Sequence, residues 1–481
     1  MQYDFIYSKI IIRNSVLDCF GVMLIILAIE HSLVHRRIAI KILLLFGCSH
    51  YRLSFVLFLS TMVLSMWCTN SIACGLMMPL VKSILKELEQ MGILDVFEVE
   101  GVLHNYNRKD KNSPRPTDFT IFYFLGIAYS STIGGMSTII GSETNRIFKN
   151  YCELIFPQSP AIEGPQLMLL TLPGVLIMEM FLYLWLNFYF LGMLRVQNYT
   201  ALQTTLTGDE EQYITILLKT KYQQLGKIKF HEGVVGAIVI LTALFQLIIS
   251  STYDRKHYYT FNVLNSSTPS LISVLILFIM PVNLDCLKFF KSKENSEPTP
   301  TSPSNGCLTW SLVTDNMEWS VLFVIGSSNI IFEAMRESKM TDEFEKFLLL
   351  FTNLPVPVMA LAIVVFCKFM TEFGSNASVI YCLLIHIARV SVKTKVNPLY
   401  LMICATLSTS LPFHLITGTP SNAMVAAYVN IPPRKMMIAG IGPSIVAILT
   451  NLFTVCVWSK AIWPDIGNFP DWTHTAHFNE F

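Results

Sequence analysis

Two short polar clusters lie within apolar sequence and carry the residue types that bind small anions and hard cations. The first, residues 65–71, reads SMWCTNS, and the second, residues 371–378, reads TEFGSNAS. Hydroxyl and amide groups can donate hydrogen bonds to a carboxylate, while their oxygens and nearby backbone carbonyls can bind a cation such as Na⁺. The pair predicts a site in which cations offset the charge of an anionic solute. One such cluster alone could equally hold helices together.

Each cluster is followed by an apolar segment that breaks at a second motif, GSETN at 141–145 or GTPSN at 418–422. Asn70 precedes Asn145 by 75 residues, and Asn376 precedes Asn422 by 46. The first spacing is 29 residues longer, which is about the length of the polar insert 89–118. The chain is therefore predicted to contain one structural unit twice. Opposite flanking charges predict that the units are inverted, as in secondary transporters with a midplane site.

The segments that must position these motifs are long and apolar. A bilayer core of about 30 Å requires roughly 20 apolar residues in a helix. Eight segments meet this length, namely 15–35, 119–147, 166–194, 233–252, 270–290, 318–337, 398–428 and 435–461. Two further stretches, 53–88 and 354–388, contain pairs of apolar arms of about 10–14 residues, a length that favours re-entrant hairpins. We therefore predict an all-α polytopic membrane protein with a single domain over residues 1–481.

The distribution of Lys and Arg predicts the orientation, because cytoplasmic loops carry the excess of positive charge. It places loops 195–232 and 287–317 in the cytoplasm, and it makes 53–88 an inner hairpin and 354–388 an outer one. Each half is predicted to consist of a span, a hairpin and a broken helix, which are 15–35, 53–88 and 119–147 in the first half and 318–337, 354–388 and 398–428 in the second.

The two halves differ in what precedes them. Two spans, 233–252 and 270–290, come before the second half, whereas only 14 residues come before the first. This asymmetry predicts that scaffold helices are missing at the N-terminus. The chain is accordingly expected to be a truncated isoform, an incomplete gene model or a naturally shortened relative.

The composition excludes several classes of function. The chain is 53% hydrophobic and 14% charged, and its formal net charge of +1 provides no basic field for nucleic acid. Its 11 cysteines form no CxxC pair, which argues against a disulfide framework or a zinc site. No nucleophile and base are spaced as in a known catalytic motif, so we expect neither an enzyme nor a cofactor, apart from Na⁺ as a coupling ion.

Four motifs in combination resemble the divalent anion/sodium symporter family, solute carrier family 13. They are the first cluster followed by MMP at 77–79, AYSSTIGG at 128–135 leading to the first break, EFGSN at 372–376, and GTPSNA at 418–423. The resemblance extends from about residue 15 to 461. Within the family the chain is most similar to the I'm-not-dead-yet-type di- and tricarboxylate transporters of animals, and we expect an insect source.

The resemblance implies a homodimer in the plasma membrane, in which a transport domain slides against a scaffold in an elevator motion. Family substrates are succinate, citrate and related carboxylates, or sulfate in some branches. The residues implied to bind substrate are Thr69, Asn70, Ser71, Ser375, Asn376, Thr419 and Pro420. The residues implied to bind sodium are Ser65, Thr69, Asn70 and Gly141 at a first site, and Thr371, Gly374, Asn376 and Gly418 at a second.

The sequence departs from the family pattern at two positions. Ala377 stands where the family signature has a hydroxyl residue, so substrate binding is expected to lose a hydrogen bond worth roughly 1.5–3 kcal/mol. Glu143 follows the first break, where an ionised carboxylate would repel a dicarboxylate. It could pair with Arg146, the reading we favour, be protonated at depth, or replace a bound cation by carrying a proton.

Other ionisable residues have plainer explanations beside functional ones. His414 could relay protons, but a packing histidine is the more common case. Lys368 and Glu372 lie four residues apart, where they can neutralise each other. The sequence thus favours a carboxylate transporter. Its rival is a non-transporting partner of a full-length form.

Overall fold

The computed structural model of the chain describes residues 2–98, 115–192, 208–252, 267–283, 305–350, 355–476 and 478. Within these ranges the regular secondary structure is helical, and β-type pairing is limited to two isolated bridges, Phe97 with Pro116 and Pro281 with Gly306. Six helical stretches among the described residues are long and apolar enough to cross a membrane, five of them single helices and the sixth the continuous stretch Pro433–Ile462. The prediction of an all-α polytopic membrane protein is confirmed.

The described helices fall into a first and a second half. Those of the first half are α1 (Gln2–Ser32), α2 (Val34–Phe46), α3 (His50–Trp67), α4 (Asn70–Gln90), α5 (Asp118–Gly135), α6 (Glu143–Ile155) and α7 (Gly164–Leu191). Those that follow are α8 (Gly208–Gln224), α9 (Phe230–Thr252), α10 (Thr268–Ile279), α11 (Trp310–Asn316), α12 (Trp319–Glu337), α13 (Met340–Leu349), α14 (Val356–Phe373), α15 (Asn376–Lys393), α16 (Pro398–Thr409), α17 (Pro420–Tyr428), α18 (Pro433–Ala439), α19 (Ile441–Phe453) and α20 (Ser459–Ile462).

The two polar clusters lie at sharp turns between helices. Cys68 and Thr69 have extended backbones between α3 and α4, and Gly374 and Ser375 occupy the same place between α14 and α15. The four helices are 18, 21, 18 and 18 residues long, so the predicted arms of about 10–14 residues were too short. Hydropathy underestimates them because polar residues continue the helices beyond their apolar parts. Glu87 near the end of α4, for example, is buried and paired with Arg36 and Lys221.

Both long segments with a second motif are broken. The first is interrupted over residues 136–142, between α5 and α6, and the second over 410–419, between α16 and α17. Helix α6 continues to Ile155, beyond the predicted end at 147, because its charged face obscures the pattern of buried residues. In the second half Pro420 begins α17, a position where its missing N–H costs nothing.

Other predicted boundaries were wrong. Within the predicted span 270–290 the helix ends at Ile279. Pro281 has no N–H to donate within a helix, and it forms an isolated β-bridge with Gly306 instead. Helix α1 begins at Gln2, but its apolar part, Asn14–Ser32, starts where the predicted span 15–35 does. The predicted loops 195–232 and 287–317 contain α8 and α11, while their segments 195–207 and 287–304 lie outside the described residues.

Packing brings the clusters and the breaks together. Helix α3 packs against α5, and α15 packs against α16 and α6. Helix α17, which follows the second break, contacts α4, α5 and α12. Helix α1 packs against α4 and α10 and also reaches α15 and α17. The site is therefore enclosed by elements from both halves of the chain.

Candidate functional site

Asn70 fastens the first turn to the first broken helix. Its amide nitrogen lies 3.1 Å from the carbonyl oxygen of Gly141, 3.1 Å from that of Ser131 and 2.9 Å from the Ser65 hydroxyl. These acceptors identify the atom as the nitrogen rather than the oxygen of the amide. The Ser65 hydroxyl in turn donates to the Ser131 carbonyl at 2.5 Å. One side chain thus connects α4 with both sides of the break.

This arrangement requires two glycines. A Cβ at Gly135 would lie 1.7 Å from the terminal amide group of Asn70, and one at Gly141 would lie 2.5 Å from the Ser65 carbonyl oxygen. Neither contact can be relieved by rotating a distant side chain, since the neighbours are backbone or the anchored amide. The glycines let the backbone of the first break approach the Asn70 amide and the Ser65 carbonyl closely, as residues that share one cation must do.

Asn376 at the second turn is bound differently. Its backbone N–H donates to the Gly418 carbonyl at 3.0 Å, and its side-chain Oδ1 accepts from the Ala377 N–H at 2.8 Å. Its Nδ2 has no hydrogen-bond acceptor among the described residues. Asn376 is 7% exposed, so this donor is nearly withdrawn from bulk solvent. A buried amide with a free donor is suited to bind an anion.

Two further asparagines, one in each half, hold the helix breaks together through the same kind of contact. Asn145 donates to the carbonyls of Met136 at 2.9 Å and Thr138 at 2.8 Å, each within its own break. Asn422 donates to the carbonyls of Pro412 at 3.1 Å and Leu415 at 3.3 Å in the second break. In both residues Oδ1 is buried without a partner among the described residues. The two motifs therefore perform one structural task in both halves.

The two turns meet at a single short segment. The Ser421 hydroxyl donates to the Asn70 carbonyl at 3.1 Å, while the Gly418 carbonyl accepts from the Asn376 N–H at 3.0 Å. Three residue steps of chain span at most about 11 Å. The turns that carry Asn70 and Asn376 thus flank the segment from Gly418 to Ser421 and do not lie on separate faces of the protein.

Comparison with known proteins identifies the family. A family profile described as "Citrate transporter" matches residues 8–391. The chain belongs to the citrate transporter family. "Protein I'm not dead yet" of Drosophila melanogaster is 30% identical over 477 residues, 96% of this chain and 79% of the relative. "Na(+)/dicarboxylate cotransporter 3" of Homo sapiens is 26% identical over 495 residues, 94% and 81% of the two chains. "Solute carrier family 13 member 1" of Homo sapiens is 25% identical over 508 residues, 94% and 83%.

These matches confirm the resemblance to solute carrier family 13, and they make the chain an integral membrane transporter rather than an enzyme. The structure places nearly all of the predicted substrate residues in buried positions around the segment just described. Pro420 is half-buried, and the others are no more than 8% exposed, namely Thr69, Asn70, Ser71, Ser375, Asn376 and Thr419.

The predicted sodium residues of this citrate transporter family member form two separate groups. Ser65, Asn70 and Gly141 are in direct contact, and Thr69 adjoins them. In the second group Thr371 donates to the Thr409 carbonyl at 2.9 Å, and its own carbonyl would lie 2.9 Å from a Cβ on Gly418. The last member, Gly374, packs against the ring of Phe332, where a Cβ would lie 1.9 Å from a ring carbon.

Asp18 is part of the site but belongs to none of the sequence motifs. It lies in the middle of α1, is 4% exposed, and accepts from Thr69 Oγ1 at 3.4 Å and Ser270 Oγ at 3.3 Å. Ser71 also interacts with its carboxyl group. A lone acid within an apolar span is a signal that could have identified it, because such residues are costly in membranes and tend to be functional.

Glu143 pairs with Arg146, the first of the three interpretations given for it above. Its carboxylate lies 3.7 Å from Arg146 Nη2 and accepts a hydrogen bond from Ser15 Oγ at 2.8 Å. The residue is followed by Thr144, which is fully buried and contacts Ser410 Oγ at 2.6 Å. The carboxylate is thus partly neutralised by a residue of its own helix.

Glu372 holds the backbone of the second break. It pairs with Lys368, as the spacing predicted, and it also accepts from the backbone N–H groups of Phe413, His414 and Leu415 at 3.1, 2.9 and 3.3 Å. The His414 ring contacts the Met437 carbonyl at 2.8 Å through Nδ1 and Ser444 Oγ at 2.9 Å through Nε2. Both ring nitrogens are occupied, which supports a packing role for this histidine.

Proposed function

We propose that this chain is a secondary transporter that moves di- and tricarboxylates such as succinate and citrate across the plasma membrane. The observation that carries the proposal is the meeting of the Asn70 and Asn376 turns at one segment, from Gly418 to Ser421. The family description and the name of the human dicarboxylate relative support the same substrate class.

Three helix ends favour an anion at this place. Helices α4, α15 and α17 begin at Asn70, Asn376 and Pro420, so their N-terminal ends lie around the shared segment. The positive ends of helix dipoles stabilise negative charge. The Ser375 hydroxyl and Asn376 Nδ2 have no acceptor among the described residues, and the Thr69 hydroxyl has only Asp18 at 3.4 Å. These three groups are the proposed donors for the substrate carboxylates.

Sodium would offset the substrate charge at two positions. The residues proposed to hold the first ion are Ser65, Thr69, Asn70 and Gly141, where Asn70 would turn its amide oxygen toward the ion in place of the nitrogen. Those proposed to hold the second are Thr371, Gly374, Asn376 and Gly418. The braces formed by Asn145 and Asn422 support the view that the two positions belong to inverted repeats. The resemblance to solute carrier family 13 extends the proposal to a homodimer whose hairpins and broken helices move together in an elevator cycle.

The experiment that tests the function is uptake in cells that express this chain. Radiolabelled succinate, citrate and sulfate are supplied in sodium medium and in choline medium. We expect succinate and citrate uptake above that of untransfected cells, with a loss in choline. Sulfate uptake alone would redirect the proposal to inorganic anions. If the protein reaches the surface and none of the three is taken up, the chain is instead a non-transporting partner.

Ala377 provides a further prediction. It is fully buried next to Asn376, whereas Ser71, the corresponding residue of the first turn, carries a hydroxyl. Restoring a hydroxyl with Ala377→Ser should lower the KM for succinate about tenfold, because a hydrogen bond to a charged group is worth roughly 1.5–3 kcal/mol. The matched variant Ser71→Ala should raise the KM by a similar factor. Equal KM values in all three proteins would show that neither position contacts substrate.

A further inference from the structure

Asp18 contacts the same hydroxyl groups that are proposed to bind substrate. Its Oδ2 accepts from Thr69 Oγ1 at 3.4 Å, and Ser71 interacts with the same carboxyl group. Asp18 belongs to α1, whereas Thr69 and Ser71 belong to the turn before α4 and its first residues. A carboxylate of the protein thus lies where a carboxylate of the substrate would seek its donors.

The other groups around Asp18 compensate its charge only weakly. Ser270 on α10 lies 3.3 Å from Oδ1, but its single hydroxyl hydrogen has a better acceptor in the Ser267 carbonyl at 2.9 Å. Glu143 and Arg146 on α6 also act on Asp18, with opposite signs. No Lys, Arg or His of the described residues forms an ion pair with it. Thr69, whose hydroxyl has no other acceptor among the described residues, is therefore its main local donor.

We propose that Asp18 is a specificity-determining residue, which competes with the substrate for Thr69 and Ser71 and disfavours substrates in proportion to their negative charge. The inference rests on the proposed function, because it assigns the two hydroxyls to substrate. Each hydroxyl has one hydrogen and can serve either Asp18 or the substrate at a given moment. A bound substrate must displace Asp18, and its remaining charge still repels the aspartate.

The repulsion grows with the charge of the substrate, which gives the inference a distinctive signature. Coulomb energy is proportional to the product of the charges. Removing the charge of Asp18 should therefore help a trianion more than a dianion, and a dianion more than a monoanion. A residue with a purely structural role would not produce a graded gain in affinity.

The test is competition by monomethyl succinate, succinate and citrate at fixed alkaline pH, in wild type and Asp18→Asn. Inhibition of radiolabelled succinate uptake is measured, together with the thermal stabilisation of the detergent-purified proteins by each anion. In Asp18→Asn we expect the half-saturating concentration to be lower than in wild type, by roughly threefold for monomethyl succinate, tenfold for succinate and thirtyfold for citrate, which carry about one, two and three charges. Asp18→Ser, which also removes the charge, should show the same order if Asp18→Asn does not reach the surface.

Ser270→Ala is the matched control, because it removes a neighbour of Asp18 without changing Thr69 or Ser71. It should leave the affinities unchanged or lower them. Equal changes for the three anions, or weaker binding in both Asp18 variants, would overturn the inference while wild-type uptake still upholds the proposed function. If wild type neither takes up nor binds succinate but an Asp18 variant binds it, the competition is upheld and transport by this chain is not. Absence of binding in all proteins overturns both.

Discussion

Replacing Asn376 by aspartate should reduce succinate uptake at least hundredfold and leave the protein folded. The aspartate keeps an oxygen that can accept from the Ala377 N–H at the 2.8 Å position, and the backbone bond to Gly418 does not involve the side chain. What it loses is the free donor Nδ2. A hydrogen bond to a charged ligand is worth roughly 1.5–3 kcal/mol, and two unit charges about 4 Å apart repel by about 4 kcal/mol at an effective dielectric constant of 20.

The measurement is initial uptake at several succinate concentrations, normalised to surface expression. Asn70→Asp is the informative contrast, because there the lost nitrogen is bound to the Gly141 and Ser131 carbonyls at 3.1 Å. That variant should lose surface expression and thermal stability as well as uptake. Substantial succinate uptake by Asn376→Asp would remove Asn376 from the substrate site. A folding defect in Asn376→Asp equal to that in Asn70→Asp would show that the two asparagines do not differ in role.

The sequence was most informative about the turns and the breaks. Asparagine, glycine and hydroxyl residues within apolar sequence are hard to explain as membrane-facing surface, so the clusters near Asn70 and Asn376 and the motifs at 141–145 and 418–422 were found directly. The structure places them at helix interruptions. Helix lengths were predicted less well, because hydropathy cannot detect a polar residue that continues a helix with a buried partner, as Glu87 does.

The missed parts of the site depend on contacts between residues distant in sequence. Asp18 meets Thr69 across 51 positions, and Glu372 meets the backbone of Phe413 across 41. Because residues four apart face each other on a helix, the sequence predicted the Lys368–Glu372 pair. The same rule could not predict that three backbone N–H groups of the second break also donate to the Glu372 carboxylate. Composition and periodicity describe single elements, whereas these contacts are determined by how the elements pack.

Replacing Glu372 by glutamine should destabilise the protein strongly and abolish uptake. Lys368 is 5% exposed and Glu372 is 6% exposed, so the variant leaves a buried ammonium group without its partner. Breaking a buried ion pair by removing one member costs about 3–5 kcal/mol. The glutamine nitrogen would replace one of the two carboxylate oxygens and would face either the N–H of Phe413 or those of His414 and Leu415, where only an acceptor can bond.

The first half of the chain provides a control for this prediction. Met62 and Met66 lie eight and four residues before Asn70, as Lys368 and Glu372 do before Asn376, so an uncharged pair is compatible with the first turn. The double variant Lys368→Met/Glu372→Gln removes the unpaired charge and should regain part of the thermal stability lost in Glu372→Gln. It should not regain all of it, because the N–H groups of the second break still lack a carboxylate.

Thermal unfolding of the detergent-purified proteins, with Lys368→Met as the fourth member, gives the coupling between the two residues. We expect the double variant to be more stable than the sum of the single effects predicts. Uptake should stay low even where stability is regained, since Glu372 fixes the segment that leads to Gly418, and Gly418 in turn accepts from Asn376. A Glu372→Gln protein as stable and active as wild type would contradict this account, because it would show that the second break holds its shape without the carboxylate.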